Sequence, residues 1–261
     1  VHVGAIVGVV LGAPWPVWVA CIALYWIRMF AVTAGYHRYF SHRTFKTSRW
    51  FQFALAFLAQ TSSQRGVLWW AAHHRAHHQY SDTEYDVHSP RRTGFFFSHI
   101  GWVYYGNSDT DWSRVRDFAR YPELVWLNRW WFVPPIVLAV ALFAWQGWPG
   151  VLVGFMFSTV LTWHATFTVN SLTHIWGRRR YATSDDSRNN FWIALLTMGE
   201  GWHNNHHHYM ASARQGFYWW EIDVTYYLLR LLEGVGLVRD LRPPPERVYS
   251  RSDPSRLDRA A

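Results

Sequence analysis

Apolar residues are concentrated in long runs near the start of the chain. Residues 3–12 are apolar, and residues 17–36 carry one charge, that of Arg28. A run of about 20 apolar residues is long enough to cross a bilayer as a helix. The Pro-Trp-Pro sequence at 14–16 ends one helix and lets another begin. We therefore predict a tight helical hairpin over residues 1–36, in which the first helix is shorter than the second.

A second pair of apolar runs repeats this plan later in the chain. Residues 130–145 and 151–170 flank a turn rich in Gly and Pro at 146–150. Each returning run leads directly into sequence that carries histidine, at His37 in the first hairpin and at His174 in the second. The pattern predicts an all-α integral membrane protein with four transmembrane helices in two hairpins. It also places the histidines at the same end of both hairpins.

The polar segments that separate and follow the hairpins are expected to form a helical cytoplasmic cap. Arg and Lys crowd the ends of both returning runs, and positive charge beside a membrane span is typical of the cytoplasmic side. We expect residues 50–70 to form a helix buried in the cap or lying on it, and residues 216–238 to form an amphipathic helix at the interface. The expected single domain, residues 1–261, divides into a first hairpin (1–36), a cytoplasmic part (37–129), a second hairpin (130–172), a second cytoplasmic part (173–239) and a mobile tail (240–261).

The composition supports a membrane protein with basic loops. Hydrophobic residues make up 50% of the chain and charged residues 16%, against about 25% charged residues in an average soluble domain. We assign the formal net charge of +8 to cytoplasmic loops, and because no nucleic-acid-binding motif is present we expect no nucleic-acid partner. The single cysteine, Cys21, lies in an apolar run, which excludes a disulfide framework and a cysteine metal site.

Histidines recur at spacings that suit metal ligation. If residues 73–78 are helical, His74 and His78 stand one turn apart on one face, with His77 beside them. Neutral imidazole is the commonest side-chain ligand of metals. Four patterns stand out: His37 and His42 as HxxxxH, then His74, His77 and His78 as HxxHH, then Asn170 and His174 one helical turn apart, and finally His203, His206 and His207 as a second HxxHH.

The number of patterned histidines bears on the metal content. Nine imidazoles exceed the coordination of one ion, so the patterns imply two metals. An all-nitrogen ligand set suits iron, zinc, copper or nickel and argues against calcium or magnesium. The position at a membrane surface and the absence of cysteine ligands favour iron oxidation chemistry over a structural zinc. The contrasting class is a non-catalytic membrane metal-binding protein or receptor, which the loss of several patterned histidines would have favoured.

Five motifs follow one another along the chain: HRYFSH (37–42), HRAHH (74–78), RRTGFFFSHIGW (91–102), VNSLTH (169–174) and GEGWHNNHHH (199–208). In this order they resemble the integral-membrane fatty acid desaturase family, close to its stearoyl-CoA desaturase branch. The resemblance covers about residues 35 to 237. It implies insertion of a cis double bond, of delta-9 type, at a centre of two iron ions (2+/3+) with O2 as oxidant. It further implies two electrons from a ferredoxin- or cytochrome b5-type donor, supplied ultimately by NAD(P)H.

Carried onto this sequence, the resemblance implies a set of site residues. The implied metal ligands are His37, His42, His74, His77, His78, His174, His203, His206 and His207, and Asn170 would hold a metal-bound water. Acids beside the motifs either accept hydrogen bonds from the outer nitrogens of ligating imidazoles or serve only loop solubility: Asp82, Glu84, Asp86 and Glu200. Three further histidines adjoin the motifs but fall outside the ligand pattern, which favours a hydrogen-bonded neighbour or a solvated ring: His73, His99 and His208.

An acyl substrate needs an apolar slot that reaches the metals. Residues of the returning helices can line such a slot, although aromatic packing between helices explains the same side chains: Tyr36, Phe155, Thr162, Trp163 and Phe167. His164 lies within the fourth apolar run, where an ionisable group must face the protein interior or a channel.

The head group of the substrate is where this chain departs from animal acyl-CoA desaturases. Those members place Arg-Asp directly before HRAHH and a basic pair after the GW, where this chain has Ala72-His73 and Gly106-Asn107. Long-chain acyl-CoA is expected first, with a lipid-linked acyl chain close behind. A hydroxylase or an acetylenase on the same scaffold is the alternative reaction. The WWAAHHRAHH run resembles bacterial members, so we expect a bacterial inner membrane with the active site on its cytoplasmic side.

Overall fold

The computed structural model describes residues 1–105 and 109–250, and these residues are mostly helical. The α-helices are α1 (His2–Leu11), α2 (Trp15–Phe30), α3 (Arg49–Gln60), α4 (Val67–Tyr80), α5 (Pro90–Thr93), α6 (Trp102–Tyr105), α7 (Arg116–Ala119), α8 (Pro122–Arg129), α9 (Val133–Pro149), α10 (Ser158–Ser171), α11 (Phe191–Leu196), α12 (His203–His208), α13 (Val224–Gly234) and α14 (Glu246–Ser250). Ala31–Ser41, Phe97–Gly101 and Gly150–Phe157 are π-helical, and Trp112–Arg114 and Leu172–His174 are 3₁₀-helical. Strands β1 (Lys46–Thr47) and β2 (Val238–Arg239) pair antiparallel.

Two helical stretches are long and apolar enough to cross a membrane, Trp15–Ser41 and Val133–His174. Within the second stretch the chain reverses at Gly147, where φ is 59° and ψ is −143°. Glycine adopts this positive φ without the steric penalty of a side chain. After the reversal, Gly150 lies against the carbonyl oxygen of Leu142 in α9. The second predicted hairpin is therefore present as a pair of packed helices.

The end of the first long stretch is wound as a π-helix over Ala31–Ser41, and all 11 of its residues are buried. Such winding is rare and occurs often at functional sites. It places His37 in the interior of the protein. The Tyr36 ring stacks on Trp70 of α4 with centroids 5.3 Å apart, and the Tyr36 hydroxyl donates to the carbonyl oxygen of Arg65. The segment is thereby held against the helix that carries the second histidine motif.

The two hairpins pack against each other through small residues. A Cβ placed on Gly8 of α1 would lie 3.0 Å from the carbonyl carbon of Leu152, so the two backbones are in close contact. Val17 and Cys21 of α2 form a buried cluster with Val153 from the start of the returning helix. Both helices of the first hairpin are therefore fixed by the second.

Arg28, the single charge in the first returning run, is fully buried. Its guanidinium donates to the carbonyl oxygen of Thr61 (3.3 Å) and to the hydroxyls of Thr159 (2.7 Å) and Ser158. A charge inside an apolar region is costly unless its donors find partners. Arg28 therefore links α2, the end of α3 and α10.

The core of the cap forms where α3, α4 and α8 pack around the π-helical segment. The first N–H groups of a helix have no partner within it. At the start of α4, the Asn128 side-chain oxygen accepts from the N–H groups of Leu68 (3.0 Å) and Trp69 (2.8 Å). The Gln60 side-chain oxygen accepts from the N–H of Val67 (3.0 Å). Two neighbouring helices thus determine where the histidine-bearing helix begins.

The amphipathic helix expected over residues 216–238 is shorter than predicted. Helix α13 begins at Val224, after Asp223, whose carboxylate accepts from the N–H of Tyr226 (3.0 Å). Residues 216–223 instead form turns and irregular structure. Likewise, residues 50–70 form α3 and the start of α4 with a turn between them, both packed in the cap.

Residues 240–250, expected to belong to a mobile tail, pack onto the cap. The N–H of Arg242 donates to the Thr44 carbonyl oxygen (3.0 Å), and the Arg242 carbonyl oxygen accepts from the N–H of Ala213 (2.7 Å). Val248 is buried in a cluster with Tyr181. The three successive prolines prevent a helix there but leave the flanking backbone free to pair. The rest of the expected tail, residues 251–261, and the Gly106-Asn107 positions lie outside the described residues.

Replacing Gly150 by alanine should destabilise the second hairpin, because the added methyl would come within 2.2 Å of the Leu142 carbonyl oxygen. Relieving that overlap requires backbone movement, at a cost of about 1–3 kcal/mol. Gly154→Ala is the matched control, since its methyl would meet the Leu142 side chain at an ordinary 3.6 Å. The thermal unfolding midpoint in detergent should fall for the first variant and not for the second. Equal midpoints would contradict this packing.

Candidate metal centre

All nine histidines predicted as ligands lie together and divide into two groups. Within each group, one nitrogen from every imidazole lies within 4.8 Å of the corresponding nitrogens of the others. The five-imidazole cluster consists of His37, His42, His74, His78 and His206, and the four-imidazole cluster consists of His77, His174, His203 and His207.

Each HxxHH motif contributes to both clusters. In α4, His74 and His78 belong to the five-imidazole cluster and His77 belongs to the four-imidazole cluster. In α12 the first and last histidines of the motif join the four-imidazole cluster, and the middle one, His206, joins the other. Residues four apart share a helix face, whereas their immediate neighbour points away from it. The two helices therefore hold the clusters side by side.

The ring nitrogens in the clusters are too close together for imidazoles alone. The Nε2 atoms of five pairs lie 2.9–3.1 Å apart: His42 and His74, His74 and His78, His78 and His206, His37 and His206, and His174 and His203. Each ring nitrogen carries either one N–H or one lone pair, so an Nε2 atom this close to two others can form a linear hydrogen bond with only one of them. The buried Nε2 of His207 has no hydrogen-bond partner among the described residues. This donor set fits two metal ions.

Carboxylates contact the outer nitrogen of four of these imidazoles. An Nδ1–H that donates to a carboxylate leaves the lone pair of Nε2 free for a metal. In the five-imidazole cluster, Nδ1 of His37 contacts Glu200. In the four-imidazole cluster, three Nδ1 atoms have such a partner: His77 with Asp86 (3.2 Å), His174 with Asp82 (2.9 Å) and His207 with Asp185 (2.6 Å).

The protonation states of the site suit metal binding. Burial alone would raise the pKa of Asp82, Asp86 and Asp185, but the adjoining imidazoles outweigh burial and hold the pKa of each carboxyl well below its usual value. Burial and neighbouring imidazoles lower the pKa of five rings well below the usual value: His42, His74, His78, His203 and His206. Neutral rings and ionised carboxylates at neutral pH are the states that bind a metal.

The carboxylate behind the five-imidazole cluster shares its charge with a buried arginine. Arg38 contacts Glu200 at 3.0 Å and Asp223 at 2.9 Å, and all three side chains are buried. The Gln215 amide donates to the second oxygen of Glu200 (3.0 Å). Burial would raise the pKa of Glu200, but His37 and Arg38 outweigh it and lower the pKa. Glu200 is therefore held in place from three sides.

The histidines expected beside the ligands lie outside both clusters. His73 stacks on Trp69 with centroids 3.9 Å apart, and His208 stacks on Tyr181 with centroids 4.1 Å apart. His99 hydrogen bonds to a serine hydroxyl of α10 (3.0 Å). A hydrogen-bonding role of these three rings beside the ligands stays a prediction.

One acid of the site was missed by the sequence analysis. Three of the four candidate acceptors contact imidazoles: Asp82, Asp86 and Glu200. Glu84, the fourth, is exposed. Asp185 was not predicted, because it lies 22 residues before His207 and far from every histidine motif. The available signal was a pair of adjacent acids, Asp185 and Asp186, five residues after the basic run at 178–180.

An apolar cavity of about 320 Å³ reaches the clusters. His74 and Asn170 line this cavity and also a smaller one of about 40 Å³, which His77 lines too. Of the residues expected to form a slot, Trp163 and Phe167 line the larger cavity. The others lie outside its lining: Tyr36, Phe155 and Thr162.

The lining of the larger cavity carries little charge. Arg65 is its single arginine or lysine among the described residues, and none of the described lining residues is acidic. The Arg65 guanidinium lies over the rings of Trp69 (5.7 Å) and Trp131 (5.5 Å). The larger cavity, which reaches the clusters, is therefore lined mainly by aromatic side chains and by one arginine among the described residues.

A mostly helical chain with two adjoining imidazole clusters beside an apolar cavity has the features of a metal-dependent enzyme that acts on alkyl chains. The fatty acid desaturase family model matches residues 13–237. The chain belongs to this family, whose members are oxidoreductases. The family predicted from the five motifs is thereby confirmed.

Relatives from cyanobacteria and a plant share 37% identity with the chain. One is the sn-2 palmitoyl-lipid 9-desaturase of Nostoc, aligned over 231 residues, 86% of this chain and 81% of that protein. A second is the sn-1 stearoyl-lipid 9-desaturase of Anabaena variabilis, over 245 residues, 92% of this chain and 90% of that protein. A third is the acyl-CoA C20 Delta5-desaturase of Anemone leveillei, over 237 residues, 89% of this chain and 76% of that protein.

Acidification should destabilise the metal-free protein below about pH 6.5, the ordinary pKa of histidine. His74, His78, His203 and His206 have lowered pKa values when folded, so they stay neutral while the same rings in the unfolded chain take up protons. The contribution of these rings to the free energy of unfolding is complete above the pKa of histidine in the unfolded chain. It decreases as the pH is lowered below that value, by about 1 kcal/mol per ring for each pH unit. The measurement is the unfolding midpoint of chelator-treated protein at about pH 7.5 and about pH 5.5.

His206→Gln should make this pH dependence shallower, because one proton-binding ring is removed from the unfolded chain. His77 works in the opposite sense, since Asp86 outweighs burial and raises the pKa of its ring. His77→Gln should therefore make the dependence steeper. A midpoint that does not change with pH, or two variants with the same slope, would refute this account.

Proposed function

We propose that this chain is an O2-dependent fatty-acyl desaturase that inserts a cis double bond, of delta-9 type, into a saturated acyl chain carried by a membrane lipid. One observation carries the proposal: the aromatic cavity and the imidazole clusters share a wall. His74 belongs to the five-imidazole cluster and lines the larger cavity. His77 and His203 of the four-imidazole cluster line the smaller one. An alkyl chain in this space would lie beside both clusters.

The proposed ligands are the nine clustered histidines, with iron as the metal. Iron held there would supply the oxidant that removes hydrogen from an unactivated C–H bond. The rings of Trp70, Trp163 and Phe167 would contact the alkyl chain and keep water away from it. Asn170 lines both cavities one helical turn before His174, a position from which its amide would hold a water at the four-imidazole cluster.

The electron balance of this reaction requires a partner. Removal of two hydrogen atoms from the acyl chain releases two electrons and two protons. Reduction of O2 to two waters consumes four electrons and four protons, so two of each come from outside. A ferredoxin- or cytochrome b5-type carrier, reduced ultimately by NAD(P)H, is the proposed electron donor.

We place both hairpins in the membrane and the clusters on its cytoplasmic side, in a bacterial cell at the inner membrane. Apolar side chains on the hairpins point outwards, among them Val10 (79% exposed) and Val140 (61%). Trp15 and Trp148 are exposed at the two turns, and indole rings favour the membrane interface. Helix α1, with ten residues, extends about 15 Å, half the thickness of the hydrocarbon core.

A lipid-linked acyl chain fits the cavity better than acyl-CoA, which reverses the order of the expected substrates. CoA carries several phosphate charges, whereas Arg65 is the one lysine or arginine among the described lining residues. Ala72 is buried and His73 stacks on Trp69, where animal acyl-CoA members carry Arg-Asp. Names of relatives do not decide the matter alone, since lipid and acyl-CoA desaturases are equally similar to the chain.

Expression of the chain in cells that supply reduced ferredoxin should produce new monounsaturated chains among the membrane lipids. His206→Ala should reduce them by at least about 100-fold, because it removes a ligand of the five-imidazole cluster. His208→Ala, two residues away, removes a ring that stacks on Tyr181 and should leave the products unchanged. Gas chromatography of the fatty acids provides the measurement. Hydroxylated or triple-bonded products would assign the alternative reaction, and no new product would refute both.

The substrate class can be tested with purified protein in lipid nanodiscs. With donor and O2 present, saturated chains esterified to the nanodisc lipids should be desaturated, while added stearoyl-CoA should not be. Mass spectrometry of intact lipids and of acyl-CoA separates the two pools. Product that appears first as oleoyl-CoA would show that acyl-CoA is the substrate.

A further inference from the structure

The two clusters differ in the charge that lies behind their imidazoles. Three of the four rings in the four-imidazole cluster contact a carboxylate through Nδ1: His77, His174 and His207. In the five-imidazole cluster one ring does so, His37. Nδ1 is buried without a hydrogen-bond partner among the described residues in two rings of the five-imidazole cluster, His78 and His206, and in one ring of the four-imidazole cluster, His203.

The surroundings of these carboxylates increase the difference. Asp82 accepts from the N–H of Asp186, Asp86 from the N–H of Asp82, and Asp185 from the N–H of Ser187 (2.9, 2.9 and 3.0 Å). Among the described residues, the ion pairs of arginine and lysine involve none of Asp82, Asp86 and Asp185.

The single carboxylate behind the five-imidazole cluster is in a different position. Glu200 forms an ion pair with Arg38, which also contacts Asp223. Three carboxylates without a lysine or arginine partner therefore lie behind one cluster, and one carboxylate paired with a guanidinium lies behind the other.

We propose that the four-imidazole cluster is the tighter and more electron-rich of two unequal metal positions, and that Asp82, Asp86 and Asp185 make it so. The inference rests on the proposed function, in which both clusters bind metal. A carboxylate that accepts from Nδ1–H makes the opposite nitrogen a stronger ligand and fixes the orientation of its ring. Loss of one such partner typically lowers metal affinity about 10- to 100-fold.

Three such contacts act on the four-imidazole position and one acts on the other. The fifth imidazole adds one ligand to the other position, but two of that cluster's rings have no Nδ1 partner among the described residues, against one ring, His203, in the four-imidazole cluster. Negative charge nearby also stabilises the higher oxidation state of a bound metal. The metal in the four-imidazole cluster is thus the one held longer and the one reduced less readily.

The test is a Zn²⁺ titration of metal-free protein against a competing chelator, with bound zinc measured by mass spectrometry. The wild type should bind two equivalents with affinities that differ by at least about 10-fold. Asp185→Asn keeps the shape of the side chain and removes its charge. It should lower the tighter affinity by about 10- to 100-fold and leave the weaker one unchanged. Asp86→Asn should also lower the tighter zinc affinity. Agreement between the two variants would show that the effect is not specific to one substitution.

Asp186→Asn is the matched control. Asp186 is the next residue and is equally buried, with 7% of each aspartate exposed, but it pairs with Arg91 and Arg179 in place of an imidazole. Its replacement should change neither affinity. Glu200→Gln should lower the weaker affinity alone.

Two outcomes would overturn this inference but leave the proposed function intact. One is equal affinities of the two zinc positions in the wild type, and the other is an effect of Asp185→Asn and Glu200→Gln on the same dissociation constant. Binding of fewer than two equivalents by the wild type would instead overturn the proposed dinuclear centre on which the inference rests. Unfolding midpoints of the metal-free variants identify any that fail to fold.

Discussion

The rest of the structure depends on the meeting of nine imidazole rings in one buried volume. Buried polar groups without partners are costly, and ring nitrogens about 3 Å apart cannot all be satisfied by shared protons. The rings come from four separate segments: the π-helical end of the first long stretch with the residue after it, α4, the 3₁₀ turn that follows α10, and α12. Each segment is therefore held by contacts of its own, such as Asn128 at the start of α4 and Arg38 in the π-helix. The fold thereby brings together imidazole clusters that could hold metal ions.

The second constraint is that this polar centre borders an apolar space. The same residues serve both, since Trp70 stacks on Tyr36 to hold the π-helix and also lines the cavity. His74 is at once a member of a cluster and part of the cavity wall. A substrate without charge along its length suits this lining. The scarcity of cations among the described lining residues is the reason that a lipid-linked chain is favoured over a CoA thioester.

Charge around the clusters is distributed unequally, and this links the fold to the proposed chemistry. Buried carboxylates are tolerated here because imidazole N–H and backbone N–H groups satisfy them. Glu200 differs from these carboxylates because it also forms an ion pair with the Arg38 guanidinium. In the function that we propose, two metal positions of unequal electron density would suit a reaction in which electrons arrive from outside while hydrogen is removed from the acyl chain. The inequality that we propose arises from the segment after α4, which carries Asp82 and Asp86, and from the loop that carries Asp185, which is far in sequence from His207, the ring it contacts.

Features that depend on residues close together in the chain could be predicted from the sequence. The apolar runs, the turn at Gly147 and the HxxHH spacings are local, because helices place residues three and four apart on related faces. They were enough to predict the helices and the nine patterned histidines. The family followed from the resemblance of the five motifs, and the acids beside those motifs gave Asp82, Glu84, Asp86 and Glu200 as candidate acceptors. The tertiary structure alone decided how the nine rings divide into five and four, that Asp185 supports His207, and that residues 240–250 pack onto the cap. It also decided the near absence of cations around the cavity. These features arise from contacts between segments that are far apart in the chain, and no local periodicity encodes which segments meet.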